Sequence, residues 1–157
     1  PMVHMLEQPR LDPQQSSGFF RDNFGMRMPV AGTVMRESPP YTIANEDTAQ
    51  ELVNPLPRTE SVLRQGKQAY AHCCLVCHGM LGDGALTLTA AYGAKPANLV
   101  SKSMMALEDG RIYHTIMAGK NAMPAYVSDL NENERWAAVH YVRVLQRALN
   151  AKESDIK

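Results

Sequence analysis

The sequence predicts an all-α domain preceded by a long, extended and mostly irregular N-terminal segment. Two observations predict it. Stretches 60–73, 107–118 and 131–149 place apolar side chains at helical spacing. Eight of the ten prolines fall within residues 1–57, a density that blocks helix interiors and central strands. The chain of 157 residues suits a single globular domain. The expected division is an extended, partner-binding segment over 1–57, the helical domain over 58–150 and a tail over 151–157.

The first segment is punctuated by Gly18, Gly25 and Gly32 as well as by proline, and only a short stretch at 45–53 holds a helical period. It is not a plain linker. Phe19, Phe20, Phe24, Met26, Met28, Val30, Val34 and Met35 are apolar groups that a solvated tail does not usually carry, and all three phenylalanines of the chain lie here. An extended chain with such anchors suits lying along other proteins, with alternate side chains in their grooves. The plainer alternative is that it folds back over the helical domain.

In the domain proper, Pro57 closes the linker, Thr59 is the expected N-cap of the first helix and Glu60 supplies the negative charge its first turn favours. Val62, Gly66, Ala69, Tyr70 and Cys73 share one face. Gly66, costly inside a helix, points to a close approach by another helix. The second helix, over 107–118, carries Ile112 and Ile116 on one face and stops at Gly119. Asn131, with Glu134 three residues on, forms the capping box of the last. Trp136, Ala138, Val139, Tyr141, Val142, Leu145 and Leu149 give that last helix a wide apolar face.

Between the first two helices lies Cys74-Leu75-Val76-Cys77-His78, the C-x-x-C-H pattern of a c-type haem attachment site. Two thiols three positions apart on a helical turn can each add to one of the vinyl groups along a haem edge, and the next residue presents its imidazole to the iron. Cys74 and Cys77 are thus the expected tethers of one covalent haem c, and His78 its proximal ligand. A zinc site would want a second ligand pair, and the only other cysteine is Cys73, next to the motif. Cys73 sets up a competing C-x-x-x-C-H register, although a small buried apolar role suits it better. Gly79-Met80-Leu81-Gly82-Asp83-Gly84 then supplies a loop able to wrap the haem edge.

An electron carrier needs a second axial ligand, and Met123 is the expected one. It lies 45 residues beyond His78 (123 − 78), far enough to circle the haem, and Pro124 stiffens the chain that presents it. Thioether ligation favours ferrous iron relative to a bis-His site. Met80 is too near His78, and Met104, Met105 and Met117 sit on helical ground where methionine fills cores. His114 and His140 offer a bis-His alternative, and an open sixth position is the third possibility.

Composition narrows the partners. Sixteen basic and sixteen acidic residues give no global charge that would draw nucleic acid. Residues 1–57 carry four basic and seven acidic groups, and residues 58–157 twelve and nine, so the mild asymmetry is −3 against +3. No apolar run approaches the roughly 18 residues of a transmembrane helix. The chain opens at Pro1 without an initiator Met or a recognisable signal peptide, so a mature form with its targeting segment removed is expected. A lipid-modified cysteine ahead of Pro1 is compatible with that expectation.

From Gly66 and Tyr70 through Cys74-Leu75-Val76-Cys77-His78-Gly79, Gly82-Asp83-Gly84, Lys95-Pro96-Ala97-Asn98-Leu99, Asp109-Gly110-Arg111-Ile112-Tyr113, Met123-Pro124-Ala125-Tyr126 and Trp136 to Leu145, the order of motifs resembles a class I cytochrome c over about residues 58–148. The resemblance implies that fold, with Pro96 lining the proximal side and its carbonyl toward the His78 ring, and with Leu99 and Tyr126 edging the pocket. A one-haem domain of this kind needs only about two thirds of the chain. Met5-Leu6-Glu7-Gln8-Pro9-Arg10, Phe19-Phe20 and Met28-Pro29-Val30-Ala31-Gly32-Thr33-Val34-Met35-Arg36 resemble the N-terminal segment of the monohaem cytochrome c subunit of alternative complex III, a bacterial quinol-oxidising respiratory assembly. That resemblance implies a peripheral subunit at the periplasmic, outer face of the cytoplasmic membrane. It would take electrons from a neighbouring haem or iron–sulfur protein and pass them to a soluble carrier or a terminal oxidase.

The expected activity is therefore one-electron relay, with no substrate at the metal and no catalysis by the chain itself. A free-standing or oxidase-linked cytochrome c is the near alternative. A haem peroxidase or gas-binding protein with an open sixth position is the distant one, and beyond His114 no distal acid–base group suggests itself.

Overall fold

Side-chain caps set where the helices begin. The computed structural model describes residues 8, 10–34, 41–85 and 95–151; the expectations at Met5 to Glu7, Pro9, Met35, Arg36 and the tail beyond 151 lie outside the described residues. Asn45 accepts from Thr48 N and starts α1 (Glu46–Ala49), and Thr59 accepts from Val62 N and starts α2 (Glu60–Ala69). A π-helical turn, Tyr70–Cys74, continues α2 and leads into α3 (Leu75–His78). Ser101 caps α4 (Lys102–Met105), Glu108 precedes α5 (Asp109–Ala118), and Asn131 opens α6 (Glu132–Leu149) with both halves of a capping box. Among the described residues all regular structure is helical, beside two isolated β-bridges. No helix among them is long and apolar enough to cross a membrane.

The chain divides into two units, Pro1–Pro40 and Tyr41–Lys157. In the second, α2 crosses α6 where both are small. A Cβ on Gly66 would lie 2.1 Å from the Ala137 carbonyl oxygen, so only glycine lets the backbones meet. Tyr70, Trp136, Ala138, Val139, Val142 and Leu145 fill the core around that crossing, and Tyr113 stacks on Trp136 at 4.0 Å.

The unit starts at Tyr41, ahead of the boundary at residue 57 that proline density suggests. Residues 41–57 lie on α5 and α6 through specific contacts: Tyr41 Oη with His114 Nδ1 at 2.9 Å, Asn54 Nδ2 donating to the Trp136 carbonyl at 3.0 Å, and His140 Nε2 donating to the Leu56 carbonyl at 2.8 Å. Glu46 adds ion pairs to Lys120 and Arg111. Pro55 and Pro57 stop helix formation in this stretch without stopping it from packing.

The first unit is irregular over 10–34. Ser16 and Phe24 form an antiparallel bridge, Ser17 N donates to Asn23 O, and Arg27 pairs with Asp22 while lying over the Phe20 ring. Ser17 is its one buried residue among those described, whereas Phe19 is 87% and Met28 90% exposed.

Candidate haem site

The C-x-x-C-H residues sit where α2 gives way to α3. In the π-helical turn the Leu75 N–H reaches back to the Tyr70 carbonyl, one residue further than an α-helix allows. Tyr70, wholly buried, spans the junction by donating its hydroxyl to the Gly79 carbonyl at 2.7 Å. Adjacent Cys73 and Cys74 meet different surroundings. Burial first, then the Asp129 and Glu134 carboxylates, push the Cys73 thiol up. Burial first, then Cys73 and Cys77, push Cys74 up to about 12. Cys74 is thus held as a neutral thiol by its apolar surround.

His78 closes α3 and is buried. Its Nδ1 lies 3.0 Å from the Ala97 carbonyl oxygen. A carbonyl only accepts, so the proton is on Nδ1 and the lone pair is on Nε2, the tautomer an iron ligand needs. Burial also lowers the His78 pKa, against the opposing pull of that hydrogen bond, which favours the neutral ring. The carbonyl is Ala97's, not Pro96's as the family resemblance implies. The Pro96 carbonyl instead lies against Gly84, where a Cβ would be 2.9 Å from it and 3.6 Å from the Ala97 oxygen. Gly84 N donates to the His78 carbonyl and Leu99 N to that of Gly82, which ties loop 79–84 to residues 96–99. Gln146 of α6 holds the other side of Leu99 by donating to its carbonyl at 2.8 Å.

Met123 follows α5 in a reverse turn. Lys120 N and Met123 O, and Met123 N and Lys120 O, pair at 3.0 and 2.9 Å. Gly119, at φ +75°, begins the turn; a Cβ there would meet Met123 O at 2.6 Å. Tyr126 N then donates to the Ile116 carbonyl, returning the chain to the end of α5. Met123 and Tyr126 are half-buried, and with Cys73, Cys74 and Leu75 they pack against the cluster that holds Leu99. Burial first, then Cys74 and Cys77, raise the Tyr126 hydroxyl. The structure therefore gathers Cys74, Leu99, Met123 and Tyr126 about one apolar cluster, with Pro96 half-buried beside Ala97.

The two histidines of the bis-His alternative have partners: His140 donates through Nε2 to Leu56 O, and His114 shares its Nδ1 with Tyr41. Sequence reasoning passed over Ala97, Tyr70 as a cross-link, Gln146 and Arg135. Ala97 acts through its backbone and leaves no side-chain signal. Tyr70 is one turn before Cys74 on the face already read as apolar, which is the signal its hydroxyl role could have used.

These residues fit a covalently held haem: two cysteines three positions apart, an imidazole of the right tautomer, and a half-buried thioether in an apolar surround. The family model described as "Cytochrome C oxidase, cbb3-type, subunit III" matches residues 61–142. Among solved structures, a chain of the Kuenenia stuttgartiensis reducing HAO-like protein complex is similar at 27% identity with a TM-score of 0.50. That similarity covers 61% of this chain and 48% of the other, so the chain spans about half the length of that relative.

Proposed function

The chain belongs to the cytochrome c family of cbb3-type oxidase subunit III, and from that premise we propose that it relays single electrons through one haem c bound to Cys74 and Cys77, with His78 and Met123 as axial ligands. Haem supplies a ferric–ferrous couple. The chain supplies the rest: the Ala97 carbonyl holds the His78 proton on Nδ1, the reverse turn presents Met123, and Leu99 and Tyr126 keep the surround apolar. The observation that carries the reading is the His78–Ala97 hydrogen bond, which leaves Nε2 unprotonated at the end of a C-x-x-C-H turn. We place the relay in a quinol-oxidising respiratory complex of the alternative complex III type, as a peripheral periplasmic-side subunit between a haem or iron–sulfur donor and a soluble carrier or oxidase. Exposed Phe19, Phe24, Met26, Met28 and Val30 support a partner-binding role for the first unit.

Oxidised holoprotein should show the red charge-transfer band of methionine on ferric iron, and reduced holoprotein should resist carbon monoxide. M123A should lose the band and bind the gas. A wild-type protein that lacks the band and takes up carbon monoxide quickly defeats Met123 ligation. Removal of residues 1–40 should abolish co-purification with respiratory partners while the haem stays reducible; retained co-purification defeats the assembly role. The family match favours a second reading, an oxidase-linked cytochrome. Identification of the co-purified subunits separates quinol-oxidising from oxygen-reducing partners.

A further inference from the structure

Arg135 stands against three general tendencies. It is 4% exposed, although arginine is almost never buried without an anion. It lies in the first turn of α6, where the helix dipole disfavours a cation. Among the described residues no carboxylate comes within ion-pair distance of it. A leucine or glutamine at this place would fill space without the cost of desolvating a charge.

What the guanidinium touches explains its use. Nη1 donates to the Leu130 carbonyl and, at 3.4 Å, to that of Val127, while Nε approaches the Tyr113 hydroxyl at 3.4 Å. The planar fork thus joins α6 and α5 to one turn, residues 126–130. The same turn is closed by Leu130 N donating to Tyr126 O, and Tyr126 N is fixed to Ile116 O. Met123 is three residues upstream, joined through Pro124, whose φ is locked. Its other end is held by the pairing with Lys120. Without Arg135 the turn keeps its backbone bond to α5 and the packing of Leu130 in the core, and it loses the side-chain hydrogen bonds that fix the Val127 and Leu130 carbonyls to α6.

We infer that Arg135 is a positioning residue for Met123, clamping turn 126–130 so that the thioether is held toward the iron. This rests on Met123 being the axial ligand. An incoming ligand such as imidazole competes with the thioether, so its apparent affinity for the ferric holoprotein measures how firmly the loop holds. R135Q should raise imidazole affinity by about tenfold, the low end for loss of a hydrogen bond from a charged donor. R135K, which keeps the charge and part of the donation, should fall between wild type and R135Q. In an M123A background neither change should alter imidazole affinity, because no thioether remains to be held.

If R135Q fails to fold, R135K alone carries the test, with a rise of about threefold expected. Unchanged imidazole affinity in both variants overturns the inference while leaving Met123 ligation intact. The same rise persisting in M123A overturns it too, since a general opening of the pocket would then be the cause. A wild-type protein without the methionine band removes the ligand reading and this inference together.

Discussion

Tyr70, Trp136 and Val139 are almost wholly removed from solvent in the unit that begins at Tyr41, whereas Phe19, Met28 and Val30 are 82–90% exposed in the unit that ends at Pro40. Both stretches use large apolar residues, and the difference lies in what orders the chain around them. In the second unit, helices with a repeating apolar face present those residues to one another at the α2–α6 crossing. In the first, local polar contacts such as Asp22 with Arg27 and Ser17 with Asn23 shape the backbone, and the apolar side chains are left outside. A segment of about 40 residues cannot by itself bury enough surface to hold itself together. Apolar composition therefore reports folding in one unit, and in the other we propose that it serves recognition. Substitutions should separate the two, with stability falling in one and association in the other.

The largest effect is expected at Gly66. A methyl group there would have to occupy space 2.1 Å from the Ala137 carbonyl oxygen, and backbone on backbone cannot yield as a flexible side chain can. G66A should cost about 3 kcal/mol, the upper part of the range for overpacking. Urea unfolding of the holoprotein followed by helical circular dichroism measures it, and a loss below about 1 kcal/mol would mean that the crossing is loosely packed. Asn131 should matter less. Its side chain accepts from Glu134 N at 3.0 Å while its N–H donates to Glu134 Oε2 at 2.8 Å, and N131A should cost about 1 kcal/mol in the same assay.

These two residues also show what was legible in advance. Gly66, Thr59, Gly119 and Asn131 announce themselves because capping and close approach restrict residue type at fixed offsets from a periodic face. The motif at 74–78 is legible for the same reason: its spacing is its chemistry. Residues 41–57 are not, because what holds them is remote in sequence, such as Tyr41 with His114, 73 positions on, and Leu56 with His140, 84 positions on. Such contacts leave no period. The carbonyl beside His78 was assigned to the wrong neighbour, since a backbone acceptor is chosen by chain direction and not by residue type. Arg135 was passed over because a charge beside Glu134 in a first helical turn reads as solvated surface, and only burial shows otherwise.

Glu46 tests the part of the second unit that resembles the first in composition. Lys120, and then Arg111, hold its carboxyl below the ordinary glutamate value against the opposing effect of burial. A depressed folded pKa means that the unfolded chain binds the proton more readily, so the ion pairs stabilise at neutral pH and that contribution is lost as pH falls through the folded value. With Lys120 half exposed, the contribution is about 0.5–1 kcal/mol. The difference in stability between wild type and E46Q should therefore shrink toward zero on acidification. A difference that stays constant down to strong acid would assign the effect to packing of α1 and not to charge.

The smallest effect on stability should come from the most conspicuous side chains. Phe19 and Met28 have little to lose on unfolding, because both already face solvent in the described structure. F19S and M28S should each change the unfolding free energy by less than about 0.5 kcal/mol, as surface substitutions do. The same substitutions should reduce the amount of partner protein recovered with the chain, because Phe24, Met26, Met28 and Val30 are exposed and recur at alternate positions, which on an extended bound strand would fill pockets on one side. R27S serves as the control, since Arg27 falls between the members of that row in sequence and already pairs with Asp22. Equal loss of association in R27S and M28S would make charge, not the apolar row, the recognised feature. A drop in thermal stability of the haem-bearing unit on M28S would show that the exposed row supports the fold, and the distinction between the two units would then fail.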